Sequence, residues 1–203
     1  MAKALRFVDP ETNLILYPGD PETPSSAEVN PVMGTNGPPL GAIVMNPLLA
    51  SATQLQWDAT HPIEPFTEHW TGEQKARLSQ SATQPPTGLL ELRSRLLPWR
   101  IQVRPRTPNV VVTVYDVITA IREGLMVRIT QREGGRFDGA GKRLIVAARA
   151  ARIQGRDPDY QAEELFYHPR RVDCLGEFTQ FAGLAPAPQQ SPNLFDLKFR
   201  RRS

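Results

Sequence analysis

The chain has little cysteine, histidine or aromatic character and no long apolar run, and each shortage excludes something. Cys174 is the single cysteine among 203 residues, so no disulfide can close within the chain and no cysteine-based zinc site can form. One free thiol fits a reducing compartment and leads to the expectation of a cytoplasmic protein. The chain does not begin with a basic stretch followed by an apolar region, the pattern of a secretory signal. Its longest apolar stretches, around Val110–Val114 and Leu144–Ala148, fall far short of the ~20 residues of a membrane span, so no membrane contact is expected. His61 and His69 lie eight apart in a loop-like stretch, without the spacing of a helical metal pair. Ligation by them with Asp58 or Glu64 is conceivable, but solvated loop histidines are the simpler reading, and neither metal nor cofactor is expected.

Nucleophiles and phosphate loops are missing in the same way. Cys174 with His168 as base would need a reactive thiol, yet its neighbours Val172 and Leu175 are apolar and point to a packed one. Gly134-Gly135 and Gly139-Ala140-Gly141 are not followed by Lys-Ser or Lys-Thr, so they form no phosphate-binding loop. Asp58 lacks a partner carboxylate for acid–base work and reads instead as a turn cap. The net charge of +3 is modest, and nucleic acid is not the partner it suggests.

What is present begins with proline, 20 residues clustered toward the ends. Residues 1–42 read as a Pro-rich, poorly structured extension, because proline fixes φ and removes a donor. Leu14-Ile15-Leu16-Tyr17 interrupts it with an apolar patch suited to strand addition or docking. A single α+β domain is expected over 43–203, an antiparallel sheet with two helices packed on one face. Leu55–Asp58 alternates as a half-buried strand, and 59–88 reads mainly as a long loop with one helical turn near Glu73–Leu78. Leu90–Leu96 and Arg100–Arg104 alternate with period two on either side of Pro98, as two strands with one solvated face. Thr113 and Asp116 open a helix over 114–127 that carries Val114, Val117, Ile118, Ile121 and Leu125 on one stripe. A second helix is expected from Gly141 to Ile153. Leu144, Ile145, Ala148 and Ala151 would face inward, with Lys142, Arg143, Arg149 and Arg152 outward. Arg171–Leu175 and Leu194–Phe199 read as strands, and a basic Arg200-Arg201-Arg202 tail ends the chain.

Several blocks in order, Leu55-Gln56-Trp57-Asp58 with His61-Pro62, Leu96–Pro105, Val112–Ile118, Arg170–Gly176 and Phe181-Ala182-Gly183-Leu184, resemble the fungal family known as domain of unknown function 6699. The resemblance spans about Asn46 to Phe199 and implies a fungal source. It implies no activity and no catalytic residues, since none is known for that family. Cys174 stands where that family usually has a large hydrophobe, and Phe195 where it often has Trp.

The candidate site residues follow from alternation. If Leu90, Leu92, Ile101 and Val103 face the core, then Arg93, Arg95, Arg100 and Arg104 gather on the opposite face, able to grip phosphate or carboxylates. Trp57, Asp58, Trp99, Arg171 and Asp173 are a second set, candidates for lining a pocket, with Asp173 and Arg171 expected on one strand face. The leading function is a non-enzymatic binding or protein-interaction module, its partner an acidic protein or a small anionic ligand. The alternative is a small enzyme or small-molecule-binding protein with its pocket between the sheet and the 59–88 loop. A weaker third reading is an anion or nucleic-acid binder using the arginines and the tail.

Overall fold

The computed structural model describes residues 43–51, 53–61, 68, 70–106, 111–187 and 191–202. The Pro-rich extension 1–42, His69, Glu64 and Pro62 lie outside them, as does Val110. The described chain is α+β. In order it forms β1 (Val44–Met45), α1 (Pro47–Ala50), α2 (Gly72–Leu78), β2 (Thr83–Gln84), β3 (Leu90–Ser94), β4 (Leu97–Val103) and α3 (Val114–Met126). Then follow α4 (Gln131–Gly134), α5 (Gly139–Ile153), α6 (Pro158–Phe166), a 3-10 turn (Arg171–Leu175), β5 (Gln180–Pro186) and β6 (Leu194–Arg200).

The main sheet runs β4-β3-β6-β5. Its two outer pairings are antiparallel, as expected, while β3 and β6 run parallel at its centre. The parallel pairing reflects the long excursion between them, in which every helix from α3 to α6 is inserted before the chain returns beside β3. The β3–β4 turn falls at Arg95-Leu96, and Pro98 lies inside β4 instead of between the strands. β4 is an edge strand, where the missing N–H of proline is tolerated.

Leu90, Leu92, Ile101 and Val103 alternate into the core, against Val117, Ile118, Ile121 and Leu125 of α3. The stripe expected on α3 is therefore the stripe it buries. Thr113 and Asp116 close its first turn reciprocally: Asp116 Oδ2 accepts from the Thr113 N–H at 2.9 Å, and Thr113 Oγ1 from the Asp116 N–H at 3.2 Å. On the other flank, Trp57 packs against Phe181 with ring centroids 6.3 Å apart. Gly183, at φ 108°, lets β5 pass under α1, because a Cβ there would stand 2.8 Å from the Ala50 carbonyl oxygen.

Four expectations are corrected. Leu55–Asp58 forms only a single bridge, Asp58 to Gln180, beside β5. The 59–88 stretch holds a two-turn helix, α2, started by a Thr71–Gln74 capping box, and the short strand β2. Arg171–Leu175 is a 3-10 turn, because the Asp173 carboxylate accepts the Arg170 N–H at 2.8 Å and curls the chain back on itself. On α5, Leu144 and Ala151 are exposed, whereas the side chain of Arg152 is only 7% exposed. Its inner face is Gly141, Ile145, Ile153 and that arginine.

Candidate functional site

The arginine face is divided by neighbouring acids. Glu91 pairs in register with Gln102, and its carboxylate accepts from Arg100 Nη1 at 3.1 Å. Arg93 Nε donates to Asp196 Oδ1 at 2.7 Å, across to β6. Arg95 lies in the turn and Arg104 just beyond β4; both are exposed and make no ion pair among the described residues. Acids thus offset Arg93 and Arg100 and leave Arg95 and Arg104 open. The parallel β6, which supplies Asp196, could not be inferred from the two strands alone.

The pocket candidates fall into two places. Trp57 is fully buried and donates its indole N–H to the His61 carbonyl at 3.0 Å, so it is core. Asp58 caps the following turn, accepting from the Thr60 N–H at 2.9 Å and from Thr179 Oγ1 at 3.1 Å. Beside it, Thr60, His61, Thr179 and Arg202 border a polar groove of about 470 Å³ whose other wall includes Arg152, Arg156 and Asp173. Trp99 and Arg171 sit elsewhere, with the guanidinium 4.6 Å from the indole centroid and donating to Glu133 at 2.8 Å. Asp173 and Arg171 therefore do not pair, because the 3-10 turn points them apart. A second groove of about 420 Å³ lies between α1, the 53–56 turn and α2, where Trp70, Gln74 and Arg77 face Leu48.

The strongest electrostatics lie between α5, α6 and the 3-10 turn. Glu164 is 1% exposed and is the one residue that α6 buries. It accepts from Arg170 Nη2 at 2.6 Å, Arg152 Nη2 at 2.9 Å and Arg128 Nη2 at 3.2 Å. Hydrogen bonds from Arg170 outweigh the desolvation that burial imposes and, with Arg152, hold its carboxyl down at about 2. Arg152 also grips Asp173 with Nε at 2.7 Å and Nη2 at 3.1 Å. Next to Asp173, burial pushes the Cys174 thiol far up, which suits packing and not nucleophilic attack. Among the described residues, no group of three or more His, Cys, Asp or Glu side chains could hold a metal ion.

Burying a carboxylate turns α6 inside out. Leu165 is 60% exposed and Phe166 83% exposed, and Phe166 meets Tyr167 edge-on at 5.3 Å. The Tyr167 carbonyl accepts from Arg149, and Arg128 lies over its ring at 4.2 Å. The chain then passes through His168 and Pro169, which border a groove of about 540 Å³ floored by Ile129, Phe137 and Ile145, with Val146 on its wall. Basic residues surround this region. Between 128 and 156 the sequence has eight arginines and lysines against Glu133 and Asp138. Arg132, Arg136, Lys142 and Arg143 are exposed and form no ion pair among the described residues.

A family model described as a family of unknown function, DUF6699, matches residues 55–193, more than half of the chain. The chain belongs to this family. No curated protein and no solved structure matches it.

In this DUF6699 member the matched stretch carries the Glu164 network, the apolar groove and most of the basic rim. Sequence reasoning missed all three. Two signals for them were present. Asp157-Pro158 is a cap followed by proline at the first helical position, which marks α6. The modest overall charge also hid a local basic excess over 128–156. No helix among the described residues is long and apolar enough to cross a membrane.

Proposed function

We propose that this DUF6699 chain is a non-enzymatic protein-interaction module, and that its partner presents an apolar stretch bordered by acidic residues. The observation that carries this reading is the inversion of α6, which buries Glu164 and leaves Leu165 and Phe166 in solvent. Fully covering a side chain of that size contributes about 1.5–3 kcal/mol. Carboxylates on the partner would meet Arg132, Arg136, Lys142 and Arg143, which speeds encounter and excludes basic competitors. Arg95 and Arg104 are the part of the arginine face still open to an acidic partner. A cytoplasmic setting in a fungal cell belongs to the same reading, supported by a lone, buried thiol.

The test is a peptide-display selection on the immobilised full chain. Selected peptides should combine apolar residues with Asp and Glu, and Val146→Asp should abolish their binding. Selection without that composition, or binding indifferent to Val146→Asp, overturns the reading. Loss on Arg95→Ser with Arg104→Ser, and not on Val146→Asp, would move the surface to the arginine face.

The polar groove beside Asp58 favours a second reading, a small anionic ligand bound or converted there. Arg156 and Arg202 on its walls are exposed, and the Arg202 guanidinium approaches Asp58 at 3.8 Å. Titration with inorganic phosphate, compared between the native chain and Arg156→Ser, tests it.

A further inference from the structure

We propose that the groove floored by Ile129, Phe137 and Ile145 is occupied in the free protein by the chain's own Leu14-Ile15-Leu16-Tyr17 segment, so that the module is self-masked. The proposal rests on the reading of that groove as a protein-interaction surface. It is argued from charge and from reach.

Charge is divided between the two parts of the chain. Residues 9–28 contain Asp9, Glu11, Asp20, Glu22 and Glu28 and no Lys, Arg or His. Within that stretch the one run of consecutive large apolar residues is Leu14–Tyr17, with Asp9 and Glu11 before it and Asp20, Glu22 and Glu28 after it. The groove has the complementary arrangement, an apolar floor with Lys142 on its wall and Arg132, Arg136 and Arg143 close by in sequence. An acid-flanked apolar segment is the class of ligand proposed for the site, and the chain carries one itself.

Reach is ample. Tyr17 and Ile43 are separated by 26 residue steps, and at ~3.3 Å per step an extended chain spans about 85 Å. A domain the size of 43–203 has a radius of gyration of about 15 Å. Half its circumference is then roughly 60 Å, so the segment can arrive at any face. Tethering also supplies an effective concentration on the order of 1 mM. A segment with an intrinsic Kd of ~0.1 mM would then be docked about nine-tenths of the time. An outside partner with similar chemistry would have to displace it, which makes the contact a threshold on partner binding.

Hydrogen–deuterium exchange on the full-length protein tests this. Amides of Leu14–Tyr17 should exchange several-fold slower in the native chain than in Val146→Asp, a change at a residue that is 59% exposed and outside the core. In the full chain carrying Leu14→Ser and Leu16→Ser, peptides covering 129–137 and 142–149 should lose protection. A synthetic peptide of residues 9–22 should bind that variant at least ten-fold tighter than a scrambled peptide of the same composition. Exchange of Leu14–Tyr17 at unprotected rates in the native chain overturns the proposal. Protection that rises with protein concentration places the segment on a second copy and overturns the intramolecular assignment. If the scrambled peptide binds equally well, self-masking fails while the groove's role as an interaction surface stands. If display-selected peptides also fail to bind, both readings fail.

Discussion

Replacing Glu164 by Gln removes one charge from the most heavily buttressed position in the fold. The glutamine keeps the shape and one acceptor oxygen, but leaves Arg128, Arg152 and Arg170 facing a neutral group in a site only 1% exposed. The folded carboxyl is held at about 2, against 4.5 for the free group. At 1.36 kcal/mol per pH unit this corresponds to about 3 kcal/mol at neutral pH. Loss of one partner from a buried pair is independently expected to cost about 3–5 kcal/mol. The pH dependence has a fixed sign. Because the folded value is depressed, the contribution is complete above the unfolded value of 4.5 and fades as pH falls toward about 2. At pH 3 the same linkage leaves about 1.4 kcal/mol. Urea unfolding of native protein and Glu164→Gln at pH 7, 5 and 3 should therefore show a gap of about 3 kcal/mol at the first two values, falling to roughly half at the third. Taking the difference between the two proteins cancels contributions from carboxylates remote from the Glu164 cluster. A gap under ~1 kcal/mol at pH 7, or one that does not change between pH 7 and 3, would refute the reasoning.

Gly183→Ala should lose about 2 kcal/mol or more in the same urea assay, because alanine at φ 108° is strained and its Cβ meets the Ala50 carbonyl; an unchanged midpoint would mean that α1 shifts freely. Cys174 should react with a thiol reagent at least a hundred-fold faster after denaturation than before, since burial raises its pKa and blocks access; equal rates would place the thiol at the surface. Arg95→Ser with Arg104→Ser should change stability by no more than ~0.5 kcal/mol, as both side chains are exposed. A clear loss in circular-dichroism melting would show that they are structural.

Legibility followed the range of the interactions. Local signals were read well. The period-two alternation of Leu90, Leu92, Ile101 and Val103, and the 3.6-residue stripe on α3, are set by neighbours in sequence and appear as expected. The last strand and the buried state of Cys174 were legible for the same reason. Much of what failed depended on partners far along the chain. Arg152 looked like an outward arginine because the carboxylates that hold it, Glu164 and Asp173, lie on other elements. Arg93 looked unpaired because Asp196 is 103 residues away. Val172-Asp173-Cys174-Leu175 reads as a strand by composition, yet the Asp173 carboxylate and the turn at Gly176 close it into a 3-10 segment. Alternation sets a face only once the element is right, so the shared face expected of Arg171 and Asp173 failed with the strand.

The same long-range charges explain why the proposed interaction surface is the hardest part to see in the sequence. Helix α6 has two ways to sit on the domain. Turned one way, Leu165 and Phe166 would enter the interior and Glu164 would face water, the arrangement binary patterning favours. The fold adopts the other, and a buried ion cluster is usually no more stabilising than well-packed apolar residues. Its advantage is orientation. Three guanidiniums from Arg128, Arg152 and Arg170 converge on one carboxylate at 2.6–3.2 Å, so rotating α6 would break all three charged contacts at once. The cluster thereby holds the apolar side chains outward with little freedom to turn in. It also fixes Arg128 over Tyr167 and places His168 and Pro169 at the groove's edge. Stability alone gives no reason for leaving Phe166 83% exposed; the apolar contact proposed above would give one.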